Sequence, residues 1–378
     1  MWSCCIQSCI PSSLANANYQ QRFLFHTFGA LSAVGARPRS FAVSSMAQNK
    51  TWRITKTVLK TCITAAALYW VFSKVESDYR EQALENIKAG SDEFPLSFWQ
   101  FIKQAITGSS PVFLLLAFMA YSSSIVIASS RLNGFFKGVG LQLSERYNLK
   151  LYLLGLFYNL FLPGGVGGDG YKIYFLRRKF KIKGRRLLSA VFFDRLSGLW
   201  ALCLITSALV IFIPRLQIPN EIPIVVVVLG SLIYYAVIRR YFSDYSNRFF
   251  RTHLKALGAQ SMQVICAIFL LYALGFEGKF APYLFMFLLS SLVAVVPFTV
   301  GGLGAREMVF VFGAEYFQMD KHLALLISLL FYLTSASLAA FGSYFIFRPR
   351  GLGEDRLPSV EEVEKDSEKQ EEEEEEHN

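Results

Sequence analysis

Three segments of this 378-residue chain set chemically capable side chains beside glycines or inside apolar runs. In Pro163-Gly164-Gly165-Val166-Gly167-Gly168-Asp169-Gly170, the glycines permit positive φ and close approach of another group to the backbone. The amides that open a helix over 171–178 form a positive end suited to an anion such as phosphate. The same glycines also suit a tight turn with close helix packing, and the letters leave both readings open. Gly165 to Gly170 satisfy G-x-G-x-x-G, but that nucleotide fingerprint needs a βαβ unit, and the flanks here are apolar runs of bilayer length. Asp194 and Arg195 lie seven to eight residues into such a run, about 10–12 Å below its start. A charge at the centre of a membrane helix costs about 2.5–3.5 kcal/mol, so each needs a partner or water. Adjacent residues point to different sides of a helix and need not pair with each other. The candidate partners are Arg131 or Arg306 for Asp194, and Glu307 or a lipid phosphate for Arg195, whose long side chain can instead snorkel to the head groups. Arg306 and Glu307 follow a second hinge, marked by Pro297, Gly301, Gly302 and Gly304.

Other reactive types are dispersed. Cys4, Cys5 and Cys9 sit near the start, and Cys62, Cys203 and Cys266 sit singly in apolar runs. The four histidines are scattered, so neither metal-ligand spacing nor a nucleophile–base–acid set occurs. No catalytic residue, metal or cofactor is expected. Arg177, Arg178, Lys179, Lys181, Lys183, Arg185 and Arg186 form a basic run beside a long apolar segment, which makes anionic lipid head groups the expected partner rather than nucleic acid. A plain topology signal explains the same charges.

The elements that must position these residues follow from composition. Of the chain, 53% is hydrophobic and 17% charged, which excludes disorder and a highly charged soluble fold. Six apolar segments are long enough to cross a bilayer: about 57–73, 111–130, 187–213, 222–238, 259–275 and 323–347. Two shorter ones are broken by proline and glycine, at 149–162 and from 282 through Pro297 to Gly313. Serines 122–124, the small residues Ala128, Ser129 and Ser130, and those from Ser335 to Ser343 read as helix-packing faces.

Lysine and arginine mark cytoplasmic loops. Residues 164–186 hold eight bases against one acid, 239–258 five against one, and 131–150 four against one, while 74–109 holds six acids and four bases. This pattern predicts an all-α membrane bundle of six crossings with both termini cytoplasmic. The two broken segments then return to their own sides as re-entrant hairpins from opposite faces, eight apolar segments in all. Opposed broken elements build midplane sites in transporters, some of them related as inverted repeats. The rival, eight full spans, puts the eight-base loop outside.

Residues 1–45 contain no acid and few bases, as in a transit peptide or an upstream extension ahead of Met46. The membrane domain is therefore expected over 46–350. Residues 351–378 hold 13 of the 28 acids and only 3 of the 38 bases, which leaves residues 1–350 at net +20 and predicts a solvated acidic tail.

Taken in order, Tyr158-Asn159-Leu-Phe-Leu-Pro163 through Tyr171-Lys172, then Phe193-Asp194-Arg195-Leu-Ser-Gly198, then Val296-Pro297 through Ala305-Arg306-Glu307, resemble the transmembrane, flippase-like region of the lysylphosphatidylglycerol synthase family. The similarity spans about residues 55–347. It implies a lipid flippase of the cell membrane that moves an aminoacyl-phosphatidylglycerol-like phospholipid or a polyprenyl-linked lipid. By the same resemblance Asn159, Gly164, Gly165, Gly167, Gly168, Asp169, Asp194, Arg195, Arg306 and Glu307 line the substrate path, and Pro163, Pro297, Gly301, Gly302 and Gly304 serve as hinges. Lys172 stands where the family suggests an arginine nearby, which weakens the case for bidentate phosphate contact. The 28 residues after position 350 are too few for a transferase core, so the alternative, a lipid-lysylating system, requires a separately encoded soluble synthase.

Overall fold

A computed structural model describes residues 42–88, 97–161, 167–295, 299, 302–353, 356–359 and 362–363. Residues 1–52 and 53–378 form separate compact units. In the first, the described residues are the helical stretch from Ala42, and the second holds the bundle. Among the described residues there is no strand, and the chain is an all-α bundle.

Among the described residues six helices are long and apolar enough to cross a membrane, and they coincide with the six predicted segments. They lie within α1 (Ala42–Lys88), α3 (Pro111–Gly138), α6 (Gly184–Val210), α7 (Glu221–Tyr241), α9 (Phe249–Ala273) and α12 (Lys321–Ala340), the last continued through a short turn into α13 (Tyr344–Phe347). Between them lie α2 (Phe98–Gly108), α4 (Glu145–Phe161), α5 (Gly168–Phe180), α8 (Ser243–Ser246), α10 (Phe280–Ala294) and α11 (Ala305–Phe317). Start signals are local. Pro111 opens α3, where its missing N–H costs nothing. Asp320 caps α12 by accepting the His322 and Leu323 amides at 2.8 and 3.1 Å. Ser97 and Gln100 form a reciprocal capping box on α2.

α1 extends past the predicted span. Its continuation to Lys88 carries the acid-rich residues that composition alone reads as a loop, tied by Lys74–Asp78 and Glu76–Arg80 pairs at i,i+4 spacing.

The most extensive helix pair is α3 against α9. It runs antiparallel: the Ser110 amide donates to Ala273 O at 2.9 Å at one end, and Lys255 Nζ to Ser130 Oγ at 2.7 Å at the other. Small residues permit the closeness, with Gly134 directly against the Thr252 methyl. Contacts at the two ends sort by charge. Lys137–Glu145, Lys150–Gly351 and Lys179–Leu352 gather with Lys255 at the basic end, while Asp78–Lys321 and Arg215–Gln318 lie at the other.

The two broken segments are helix pairs whose arms pack on each other, α4 with α5 and α10 with α11. In the first pair a Cβ on Gly168 would overlap the Gly155 carbonyl, so the arms meet backbone to backbone. Lys150 near the start of α4 and Lys179 near the end of α5 both donate to carbonyls of 351–353, so both outer ends of this pair sit at the same end of the bundle. In the second pair Gly313 abuts the Met286 thioether, and Phe285 meets Phe317 edge-on.

The acidic tail begins less solvated than its composition suggests. Leu352, Leu357 and Val363 are buried in the core, and the Tyr171 hydroxyl donates to Pro358 O at 3.1 Å.

Candidate functional site

Ionic groups inside the bundle fall into three clusters, two of them joined through α6. Where α5 starts, the Asn159 side-chain oxygen accepts the Gly168 amide at 2.7 Å, satisfying one of the helix's open donors. Asp169 in that first turn faces two cations: its Oδ1 lies 2.7 Å from Lys172 Nζ, and its Oδ2 accepts from Arg195 at 2.6 and 3.0 Å. Arg195 thus engages Asp169 rather than Glu307. One carboxylate shared by two cations leaves a net charge of +1. Lys172 is buried with its ammonium 4.9 Å over the Tyr152 ring, whereas the Arg195 side chain is 56% exposed.

One residue before Arg195, the buried Asp194 takes both of its acceptor positions to Arg131 of α3, at 2.7 Å from Nε and 3.0 Å from Nη2. Of the two partners the sequence allows, Arg131 is therefore the one engaged. The fork geometry is the strong form of this pair. Gly198, one turn along α6, leaves room for the guanidinium: a Cβ there would stand 3.1 Å from Arg131 Nη1.

The third cluster lies at the start of α11. Gly302 and Gly304 have φ of 85° and 83°, a backbone conformation that favours glycine. They reverse the chain so that the fully buried Glu307 carboxylate accepts the Gly304 amide at 2.7 Å and the Ser328 hydroxyl at 2.8 Å. Arg306 turns elsewhere. It is 8% exposed, its Nη2 is 3.3 Å from Ser291 Oγ, and its guanidinium lies 4.8 Å from the Phe331 ring and 5.8 Å from Phe287. Its Nε has no hydrogen-bond partner, and among the described residues no carboxylate forms an ion pair with it.

Two buried tyrosines bridge the clusters, and sequence reasoning singles out neither. Tyr152 lies within electrostatic reach of Arg131, Asp169, Asp194 and Arg195, and Tyr121 within reach of both Tyr152 and Arg306. Only their place in apolar helices at a packing face marks them in the letters, a signal many core residues share. Pro163, Gly164, Gly165, Pro297 and Gly301 lie outside the described residues, whereas Gly167 serves as the residue preceding α5. A cavity of about 250 Å³ forms at the opposite end from the basic loops, lined by Asp78, Asp320, Lys321 and His322 with Val75, Tyr79 and Met319. Among the described residues no group of His, Cys, Asp and Glu could hold a metal ion.

Sharing of Asp169 makes the two ends of its cluster unequal. Asp169→Asn strips the counter-charge from two cations at once and is expected to cost about 1–3 kcal/mol, the range for losing charged hydrogen bonds. Lys172→Met leaves Asp169 its Arg195 partner and should cost less. Thermal unfolding of both variants in detergent checks the order; a larger loss in Lys172→Met contradicts the shared-carboxylate arrangement.

No curated protein matches the chain. A family match covers residues 96–342, the stretch from α2 to the end of α12, and its description is the lysylphosphatidylglycerol synthase TM region. With five of the six membrane-length helices found among the described residues, and both glycine-marked helix pairs, within or overlapping that stretch, this multi-pass membrane protein belongs to the lysylphosphatidylglycerol synthase transmembrane family.

Proposed function

We propose that the protein translocates a phospholipid with an anionic phosphate between leaflets of the cell membrane, an aminoacyl-phosphatidylglycerol-like lipid or a polyprenyl-linked one. Both termini lie in the cytoplasm, and the pairs α4–α5 and α10–α11 enter as re-entrant hairpins from opposite faces. The observation that carries this reading is Arg306. A guanidinium held in an aromatic setting, with no carboxylate in ion-pair contact among the described residues and Glu307 acting on it only from a distance, beside a hydroxyl and with an unbonded Nε, is an incomplete ionic site. Leaving a buried charge uncompensated is costly, and a lipid phosphate supplies the missing anion. The Asp169–Lys172–Arg195 cluster adds a second surplus positive charge, with Arg195 on its exposed side. Tyr121, within electrostatic reach of Arg306, and Tyr152, within reach of Asp169 and Arg195, offer hydroxyls to a head group passing from one cluster to the other.

Reconstitution into liposomes with fluorescent phosphatidylglycerol tests the reading. Quencher-accessible probe should appear faster than in empty liposomes. Arg306→Met should slow it by about tenfold or more, the equivalent of one lost charged hydrogen bond. Rates equal to empty liposomes across several lipid classes reject transport. Altered lipid composition in expressing cells, with leaflet distribution unchanged, points instead to a lipid-modifying system working with a separate synthase.

A further inference from the structure

We infer that the basic collar joining α5 to α6 is the docking surface of the chain's own acidic run, Glu371–Glu376. The collar consists of Arg177, Arg178, Lys181, Lys183, Arg185 and Arg186, all exposed. Lys181 turns the chain with φ 54°, and the Arg177 side chain lies over Gly184, so bases from both helix ends share one patch. The end of α5 is negative by its helix dipole, and bases there are favoured, but bases crowded this densely repel one another and attract an anion.

The tail is already tethered beside this patch. Lys179, inside the collar, donates to Leu352 O at 2.5 Å and to Gly353 O at 3.0 Å. Tyr171, two turns back on α5, holds Pro358 O. The anchor is not merely polar: Leu352 and Val363 are 0% and 1% exposed, packed into the main core. Ser359 and Glu362 bond reciprocally at 3.1 and 3.2 Å, the pattern that starts a helix.

Reach and charge then select the occupant. Pro358, the residue held at Tyr171, and Glu371 are thirteen residues apart, about 44 Å when extended, while Tyr171 and Arg178 are separated by about 10 Å along a helix. The run therefore covers the distance from its anchor to the collar with slack. Six consecutive glutamates against a run of exposed bases are complementary in charge, and the tether keeps them at high effective concentration. A run seated there occupies the surface on which anionic head groups would otherwise gather, so the tail screens the collar from lipid.

Zero-length carbodiimide coupling of the full chain in neutral maltoside micelles tests this. At low salt, amides should form between Lys181 or Lys183 and Glu371–Glu376. Their yield should fall at least about fivefold at ~1 M salt, where screening acts within ~3 Å. Mixing isotopically light and heavy protein should give light–light and heavy–heavy pairs only. Independently, replacing all six glutamates with glutamine should raise the acylation rate of Lys181 and Lys183 by about threefold or more at low salt, and by nothing at high salt. Absence of these cross-links, pairs of mixed isotope, or acylation rates unchanged by the glutamine variant would overturn the docking.

Discussion

Asp194→Ala is expected to destabilise the protein by about 3–5 kcal/mol, because it leaves Arg131 buried beside no counter-charge. The carboxylate accepts two hydrogen bonds from one guanidinium, and both side chains are almost completely enclosed between α3 and α6. Arg131→Ala should cost a similar amount by stranding the anion. Asp194→Leu combined with Arg131→Met removes both charges while keeping volume, and should recover most of either loss, since well-packed apolar replacements of a buried pair are often neutral. Thermal unfolding in detergent of the unmodified protein, Asp194→Leu, Arg131→Met and the double variant closes the cycle and gives the coupling energy directly. Additive losses would mean that the two side chains do not act as a pair. The same set separates stability from transport: if the apolar double variant is stable yet inactive in liposomes, the charges serve the lipid as well as the fold.

The six long spans are legible because apolar runs of bilayer length with few charges read as membrane helices, and each helix appears where its run lies. The Arg131–Asp194 pair is legible as a candidate for the same reason, since a carboxylate amid apolar residues demands a cation. Choosing Arg131 over Arg306 is beyond the letters, because the choice depends on α3 and α6 packing with Gly198 at the contact. Arg195 is harder still. Its partner Asp169 sits 26 residues away on another helix, and they meet only because Gly168 lets α5 fold tightly against α4. The glycine segment suits both an anion cradle and a tight-packing device. At Gly168 the packing use is realised, and its amide is taken by Asn159. The polar extension of α1 and the anchored start of the tail escape composition for a shared reason. Both depend on a few well-placed contacts, the i,i+4 pairs in one and Leu352, Leu357 and Val363 in the other, that averages over a segment erase.

Gly168→Ala should be among the most damaging conservative substitutions in the chain, while Gly313→Ala, formally the same change, should be tolerated. At both positions an added Cβ would overlap a neighbour from the paired arm, but the neighbours differ in kind. Gly168 meets the Gly155 carbonyl and Cα, backbone atoms within the regular part of α4, which cannot yield without moving the helix. Separating the arms would also loosen the Asn159–Gly168 bond and carry Asp169 away from Arg195. Overpacking alone costs typically 1–3 kcal/mol and a net hydrogen bond about 1 more, so a loss of about 3 kcal/mol or greater is expected. Gly313 meets only the Met286 side chain, whose Cγ, sulfur and terminal methyl must all swing aside through unbranched torsions, and about 1–2 kcal/mol is expected there. Unfolding midpoints in detergent give the ranking, and an engineered cysteine pair across α4 and α5 reports the separation. If Gly168→Ala proves as stable as Gly313→Ala and its cross-arm disulfide still forms, the two arms are not locked backbone to backbone, and Asp169 is not held at Arg195 by their closure.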